Sequence, residues 1–190
     1  AVRRASDDAI KEELRKRTEQ AVEKGVFGVP SFMVTTAGGS ELFWGVDRTD
    51  QVRTALMPRT KLPFYFDYSS PFAYLAATQA RGLAARTNTE LEYKPLLLGG
   101  LFKSIGTANV PLFEMPEAKR AYVGRDLHRW AERWGVPFRF ASRFPMNTVK
   151  ALRLTLAASD AQRPALVDAL FRALWSEDRD ISDVRELEAI

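Results

Sequence analysis

The sequence contains no cysteine and only one histidine, which limits the chemistry that its own side chains can perform. Thiol–disulfide exchange needs one thiolate that attacks and a second that resolves, so this chain cannot carry it out unaided. His128 lies in a charged segment and has no second histidine with which to complete a zinc site. We therefore interpret His128 as structural and predict no metal site.

Long apolar runs and a strong charge of one sign are also missing. No run of apolar residues approaches the roughly 20 needed to cross a bilayer, and no charged-then-apolar leader opens the chain. The net charge is only +4, and basic and acidic residues are interleaved in segments such as 11–17, whereas nucleic-acid binders usually carry a clustered basic stripe. We expect a cytoplasmic protein that binds neither membranes nor nucleic acid.

The chain has 190 residues, of which 46% are hydrophobic, and this is enough for a sizeable buried core. Ser6 is the expected N-cap of the first helix and Gly25 its end, and a short helix is expected after Asp47 or Thr49. The predicted helices span residues 6–24, 71–86, 116–134, 148–158, 163–176 and 182–190, and the predicted strands span residues 31–36, 41–44, 62–67 and 91–97.

The segment 64–76 is the most informative for function, because an aromatic strand leads directly into a serine at a predicted helix start. Proline is favoured at the first helical position, so Pro71 places Ser70 at the N-cap, with its hydroxyl among free backbone N–H donors. Such a position favours an anion. The alternative is that Ser70 only caps the helix.

Further segments join this one in a resemblance to a known family. Together with residues 25–30, 44–48, 96–103, 116–122, 135–140 and 144–148, it resembles the 2-hydroxychromene-2-carboxylate isomerases and kappa-class glutathione transferases, relatives of the DsbA-type thiol oxidoreductases. The resemblance implies an α/β fold, with a thioredoxin-like four-stranded sheet and an all-helical insertion domain. It also implies glutathione as cofactor, a small aromatic carboxylate as substrate and a homodimer.

The matching segments occur in a circularly permuted order. Residues 1 to about 56 match the end of a family member, yet they precede the segments that match its beginning. Residues 57–61 look like a former initiator methionine and leader, and the helix predicted at 182–190 would continue into residues 1–5 if the chain ends were joined. The permutation is natural or engineered, or the chain is the junction of two tandem copies.

The permuted order gives two domains. The thioredoxin-like, glutathione-binding domain is expected at residues 26–98, and the helical domain is expected to comprise residues 99–190 plus 1–25. Where the oxidoreductases hold Cys-Pro-x-Cys, residues 70–73 of this chain are Ser-Pro-Phe-Ala. A sulfur used in the reaction must therefore arrive with the cofactor.

The resemblance also assigns roles to glutathione-binding residues. Ser70 is the catalytic residue, which would hold the sulfur of glutathione as an anion. A cis Val29–Pro30 bond would let the Val29 N–H and C=O pair with the cysteinyl unit as an added strand does. Asp47 and Arg48 match the pair that binds the γ-glutamyl end. Plain core packing of Val29 and helix capping by Asp47 are the alternatives.

Other residues match further parts of the family's active site. Asn109 corresponds to an asparagine that shapes the active site, and the resemblance implies that it binds the cofactor, although its spacing from Gly106 differs from that in the family. Lys119 or its neighbour Arg120 would meet an anionic substrate, and solvated helix positions explain both almost as well. The residues expected to bind the substrate are Phe72, Phe102, Lys119 and Asn147.

The predicted function is glutathione-dependent cis-trans isomerisation of 2-hydroxychromene-2-carboxylate and trans-o-hydroxybenzylidenepyruvate in aromatic catabolism. One alternative is a kappa-like glutathione transferase that acts on another electrophile. Another is a thioredoxin-like binding module without catalysis, which is favoured by Val46, because relatives often have serine at this position. An engineered scaffold is a further alternative, suggested by the permuted order.

Overall fold

The computed structural model describes residues 5–36, 38–56, 60–87 and 89–190. Four strands are described: β1 Ser31–Thr36, β2 Gly39–Trp44, β3 Lys61–Phe66 and β4 Glu90–Pro95. The described helices are α1 Asp8–Glu23, α2 Thr49–Ala55, α3 Pro71–Thr87, α4 Leu98–Ser104, α5 Pro111–Glu114, α6 Glu117–Arg133, α7 Val149–Ala157, α8 Arg163–Trp175 and α9 Val184–Glu188. A 3-10 turn, Val46–Arg48, precedes α2.

The strands form one mixed sheet in the order β2-β1-β3-β4. β1 pairs antiparallel with both β2 and β3, whereas β3 and β4 are parallel and are joined through α3. β4 lies at the edge of the sheet and ends at Pro95, where the missing N–H of proline is tolerated. The predicted four-stranded α/β arrangement is therefore confirmed.

The core packs around the junction between β3 and α3. On the sheet, the rings of Phe32, Phe64 and Phe66 stack and are fully buried. The Phe66 ring also packs against Phe171 of α8, α3 packs against α6 and α8, and Trp175 of α8 donates a hydrogen bond from Nε1 to the Tyr68 carbonyl at 2.7 Å. The residues that follow β3 are thus held in a buried setting.

The helix ends differ from the predictions in detail. Ser6 was expected to cap α1, but the N-cap is Asp7, and its side chain makes no capping hydrogen bond. Gly25, with φ 77°, follows the end of α1 as expected. At the other end of the chain the last helix begins after Asp183, whose carboxylate accepts the Arg185 N–H at 2.9 Å, so the predicted start at Ser182 is wrong by a residue or two.

The two seams of the predicted permutation are the leader at residues 57–61 and the junction of residues 182–190 with residues 1–5; residues 57–59 and 1–4 lie outside the described residues, and Lys61 is the first residue of β3. The permuted order therefore stays a prediction. Within the described part, α1 packs against α4 and α7, which places residues 8–23 beside the helical part of the chain. None of the described helices is both long and apolar enough to cross a membrane.

Candidate active site

A cavity of about 930 Å³ lies where the end of β3 and the start of α3 meet the helical part of the chain. Its walls are mainly apolar, and both the sheet-forming part and the helical part of the chain contribute residues to them. The large apolar side chains of the wall include Phe102, Phe140, Phe144, Met115 and Met146. A cavity of this size and character is typical of a small-molecule site.

Ser70 lies in the lining of this cavity at the start of α3. Its Oγ accepts a hydrogen bond from the Ala73 N–H at 3.1 Å, so the serine caps the helix. The same oxygen lies 3.5 Å from the Val29 carbonyl oxygen, to which the hydroxyl donates at the limit of hydrogen-bond distance. Capping uses a lone pair and leaves the hydroxyl proton only weakly held, so this proton is available to an anion in the cavity.

The Val29–Pro30 peptide bond, which faces Ser70, is cis. Val29 is buried and lines the cavity, whereas Pro30 follows it into the core, and the Pro30 carbonyl accepts the Gly45 N–H at 3.1 Å. The sequence alone favours trans for such a bond, and only the family resemblance suggested otherwise.

Two aromatic residues form the lip of the cavity beside this turn. Phe27 and Trp44 are about half exposed, and their ring centroids lie 5.3 Å apart. The Trp44 Nε1 atom lies 2.6 Å from the position that a Cβ on Gly28 would occupy, so glycine lets the indole lie directly against the backbone. The lip therefore offers an exposed aromatic surface next to Val29.

Asp47 and Arg48 lie in the turn before α2, outside the lining of the cavity. Their side chains are about half exposed and form an ion pair with 3.5 Å between Nη1 and Oδ2. The N-cap position of α2 is Arg48, and no side-chain capping bond forms there. The structure thus offers no support for capping by Asp47, and a role in binding stays a prediction.

The residues expected to contact substrate, together with Asn109, which was expected to bind the cofactor, separate into two groups. Phe72, Phe102, Asn109 and Asn147 all line the cavity. Lys119 does not line it, whereas its neighbour Arg120 does. Consecutive helical residues point about 100° apart, so only one of the two cations can face a given side of α6.

The asparagines of the lining differ in their hydrogen bonding. The Asn147 Oδ1 accepts the Val149 N–H at 3.1 Å and so helps to start α7. The Asn109 Oδ1 lies against Gly99, only 2.7 Å from the position that a Cβ there would take. Asn109 is therefore placed against the first turn of α4.

His128 lies on α6 and is not itself a lining residue of the cavity. Its Nδ1 lies 2.8 Å from the Gly124 carbonyl, and its ring packs edge-on against Phe138. Both contacts agree with the structural interpretation. Across the described ranges, no group of three or more His, Cys, Asp or Glu side chains is arranged to hold a metal ion.

Asp67 is the site residue that sequence reasoning missed. Its side chain is buried at the end of β3 and accepts three hydrogen bonds, from the Ser69 N–H at 3.0 Å, the Leu98 N–H at 2.8 Å and the Thr148 hydroxyl at 2.6 Å. Burial raises the pKa of the Asp67 carboxyl, while these hydrogen bonds act in the opposite direction. The sequence signal that could have identified Asp67 is its position directly after a buried strand, because a buried acidic side chain needs hydrogen-bond or charge partners.

The raised pKa gives a prediction about stability. The folded protein holds the Asp67 proton more tightly than the unfolded chain does, so this contribution is complete below the unfolded pKa of about 4 and is lost as pH rises through the folded pKa. We expect the stability advantage of the wild type over Asp67→Asn to shrink as the pH is raised from about 4. Urea denaturation at several pH values measures it. If the stability advantage of the wild type instead grew with pH, the hydrogen bonds would affect the pKa of Asp67 more strongly than burial does.

Known proteins resemble this chain in sequence and in structure. A 2-hydroxychromene-2-carboxylate isomerase from Sphingobium xenophagum is 31% identical over 132 residues, which are 66% of this chain and 64% of that protein. A Caenorhabditis elegans glutathione S-transferase, kappa 2, is 28% identical over 124 residues, which are 63% of this chain and 54% of that protein. The chain thus spans less than two thirds of the length of these curated relatives.

A solved structure of a 2-hydroxychromene-2-carboxylate isomerase superimposes with a TM-score of 0.55 at 25% identity, covering 67% of this chain and 68% of that one. The family model of the DSBA-like thioredoxin domain matches residues 1–57 and 61–190. Because this match extends over nearly the whole sequence, and the sheet and its helices agree with it, the chain belongs to the DsbA-like thioredoxin family.

Proposed function

We propose that this chain is a glutathione-dependent cis-trans isomerase that interconverts 2-hydroxychromene-2-carboxylate and trans-o-hydroxybenzylidenepyruvate. The observation that carries the proposal is the position of Ser70. Its hydroxyl lies at the N-terminus of α3, faces the cis turn at Val29 and lines a largely apolar cavity. The resemblance to isomerases and kappa transferases supports glutathione as the partner of this serine.

The residues present suit a thiol-bearing peptide. The Ser70 hydroxyl can donate a hydrogen bond to a sulfur atom, and the N-terminal end of the 17-residue helix α3 favours the thiolate over the thiol. The cavity of about 930 Å³ is large enough for a thiol end and an aromatic acid together. Asp47 and Arg48 offer one charge of each sign on the exposed turn, which suits the ammonium and carboxylate of a γ-glutamyl group.

Bound glutathione would supply a nucleophilic thiolate, whose reversible addition to a conjugated double bond permits rotation about that bond. The chain's own residues hold and orient the reacting groups. Ser70 holds the sulfur, Phe102 and Phe144 give an apolar wall for an aromatic ring, and Arg120 provides a positive charge for a carboxylate. Apolar walls exclude water and so strengthen these polar contacts.

Turnover of 2-hydroxychromene-2-carboxylate, followed with and without glutathione, tests the proposal. We expect the reaction to reach an equilibrium of the two isomers only when glutathione is present, with the total glutathione unchanged. Accumulation of a glutathione conjugate with other electrophiles, without isomerisation, would favour a kappa-like transferase. Saturable glutathione binding with no turnover would favour a binding module. Either result would contradict the isomerase.

A pair of variants on α6 tests how the acidic substrate is recognised. Arg120 lines the cavity, and its side chain has no ion-pair partner among the described residues. We expect Arg120→Gln to raise KM for the carboxylate substrate about tenfold with little change in kcat, because a charge-assisted contact contributes about 1.5 kcal/mol. Lys119→Gln should raise KM much less. Steady-state kinetics of both variants decide the matter, and a larger effect at Lys119 would contradict the assignment.

A further inference from the structure

We propose that Asp67 is a positioning residue that holds Ser70 and two walls of the cavity in one fixed arrangement. The proposal rests on the proposed function, since it concerns the same site. Asp67 connects three segments that are far apart in sequence. Its carboxyl binds the turn before α3 through Ser69, the first residue of α4 through Leu98, and the residue before α7 through Thr148.

Each of these segments supplies part of the cavity. The turn after Asp67 continues directly into Ser70, whose N–H donates to the Asp67 carbonyl at 3.1 Å. The α4 segment carries Phe102, and the segment before α7 carries Asn147. Because Asp67 is only 1% exposed and also belongs to the lining, it lies beneath the point where these segments meet. The carboxyl therefore sets how far Ser70 lies from both walls.

The chemistry of the side chain explains why a carboxyl is needed here. One oxygen, Oδ1, accepts from Ser69 and Thr148, while the other, Oδ2, accepts from Leu98. Two of the three donors are backbone N–H groups, which cannot reverse their direction. Asparagine has a single oxygen, so in either orientation its NH2 group would face a backbone N–H. Both oxygens of a carboxyl can accept, so Asp67 alone satisfies both amides.

The chain contains a matched control for this proposal. Thr148 immediately precedes α7, and Thr155 lies within it. Both threonines are buried, and each hydroxyl forms a 2.6 Å hydrogen bond to a side chain of the segment that follows β3. Thr148 binds Asp67 and lines the cavity, whereas Thr155 binds the Tyr68 hydroxyl and is absent from the lining. Replacing either one by valine removes a buried threonine hydroxyl, and that of Thr155 also donates to the Ala151 carbonyl at 2.9 Å.

The test compares Asp67→Asn, Thr148→Val and Thr155→Val in the full chain. We expect Asp67→Asn to lower kcat about 10- to 100-fold, because small misplacements of reacting groups are costly, while glutathione affinity changes little. Thr148→Val should also lower kcat, but by a smaller factor than Asp67→Asn does. Thr155→Val should keep the wild-type kcat although its unfolding midpoint falls comparably to that of Thr148→Val. An unchanged kcat in Asp67→Asn, or equal losses in the two threonine variants, would overturn the proposal.

Amide hydrogen exchange separates this proposal from the proposed function. We expect the Ser69 and Leu98 amides to exchange faster in Asp67→Asn, and at least one of them in Thr148→Val, but neither in Thr155→Val. If the wild type shows no glutathione-dependent turnover, the proposed function fails, and these exchange rates still decide whether Asp67 organises the three segments. Unchanged exchange in Asp67→Asn would overturn it. If Asp67→Asn does not fold, the two threonine variants decide alone.

Discussion

We expect Ser70→Ala to lower kcat about 10²- to 10³-fold at saturating glutathione, which is the loss typical of removing one hydrogen-bond donor to a reacting anion. The substitution also removes the helix cap that the Ser70 Oγ provides to Ala73. A lost cap costs about 1 kcal/mol, which a domain with about 5–15 kcal/mol of stability tolerates. We therefore expect the variant to fold but to turn over slowly. Steady-state kinetics and urea denaturation of the same preparation measure the two effects.

Ser159→Ala is the matched control for this result. The Ser159 hydroxyl donates to the Gln162 side chain at 2.8 Å in the turn before α8, and Ser159 does not line the cavity. Removal of this hydroxyl should leave kcat unchanged. Equal kcat values for Ser70→Ala and the wild type at saturating glutathione, over the accessible pH range, would contradict the role assigned to Ser70.

We expect Trp175→Ala to lower the free energy of unfolding by about 3–5 kcal/mol, the range found when a buried aromatic side chain is removed. Trp175 is fully buried, and its ring packs against Phe138, Phe140 and Phe144. Its Nε1 also supplies the hydrogen bond to the Tyr68 carbonyl. Because Phe140 and Phe144 line the cavity, removal of the Trp175 ring should weaken the packing of the cavity wall as well as that of the core.

Two further tryptophan variants separate packing from hydrogen bonding. Trp175→Phe keeps a buried ring and removes the N–H, so it should cost about 1–3 kcal/mol for the carbonyl left without its partner. Trp44→Ala removes a half-exposed ring and should change the stability by less than about 1 kcal/mol. Chemical denaturation of all three variants gives the comparison. A cost for Trp175→Ala no larger than that for Trp44→Ala would contradict the account of the core.

Local rules were enough to predict the strands, the main helices and the cap at Ser70. The Ser-Pro pair works through its immediate backbone, so its signal is contained in a few residues. The arrangement around Asp67 could not be predicted in this way, because its partners Leu98 and Thr148 are 31 and 81 residues away. Such contacts arise only when distant segments fold together.

The choice between Lys119 and Arg120 shows another limit of the sequence. Both are charged, both are exposed and both lie in a segment that resembles the family. Which one faces the cavity depends on the rotation of α6 about its own axis, and this is set by the packing of Leu127 and Ala131 a few turns later. The apolar pattern of a helix predicts its buried face more reliably than the direction of an exposed cation.

On the proposed function, Ser70 and the start of α3 stabilise the thiolate of bound glutathione. Ultraviolet absorbance of the thiolate, recorded against pH with glutathione bound, measures this directly, since the chain has no cysteine to contribute. In the wild type the bound thiol should titrate below the reference pKa of about 8.5, and Ser70→Ala should move its pKa back toward that value. A bound thiol with the same pKa in both proteins would contradict the claim.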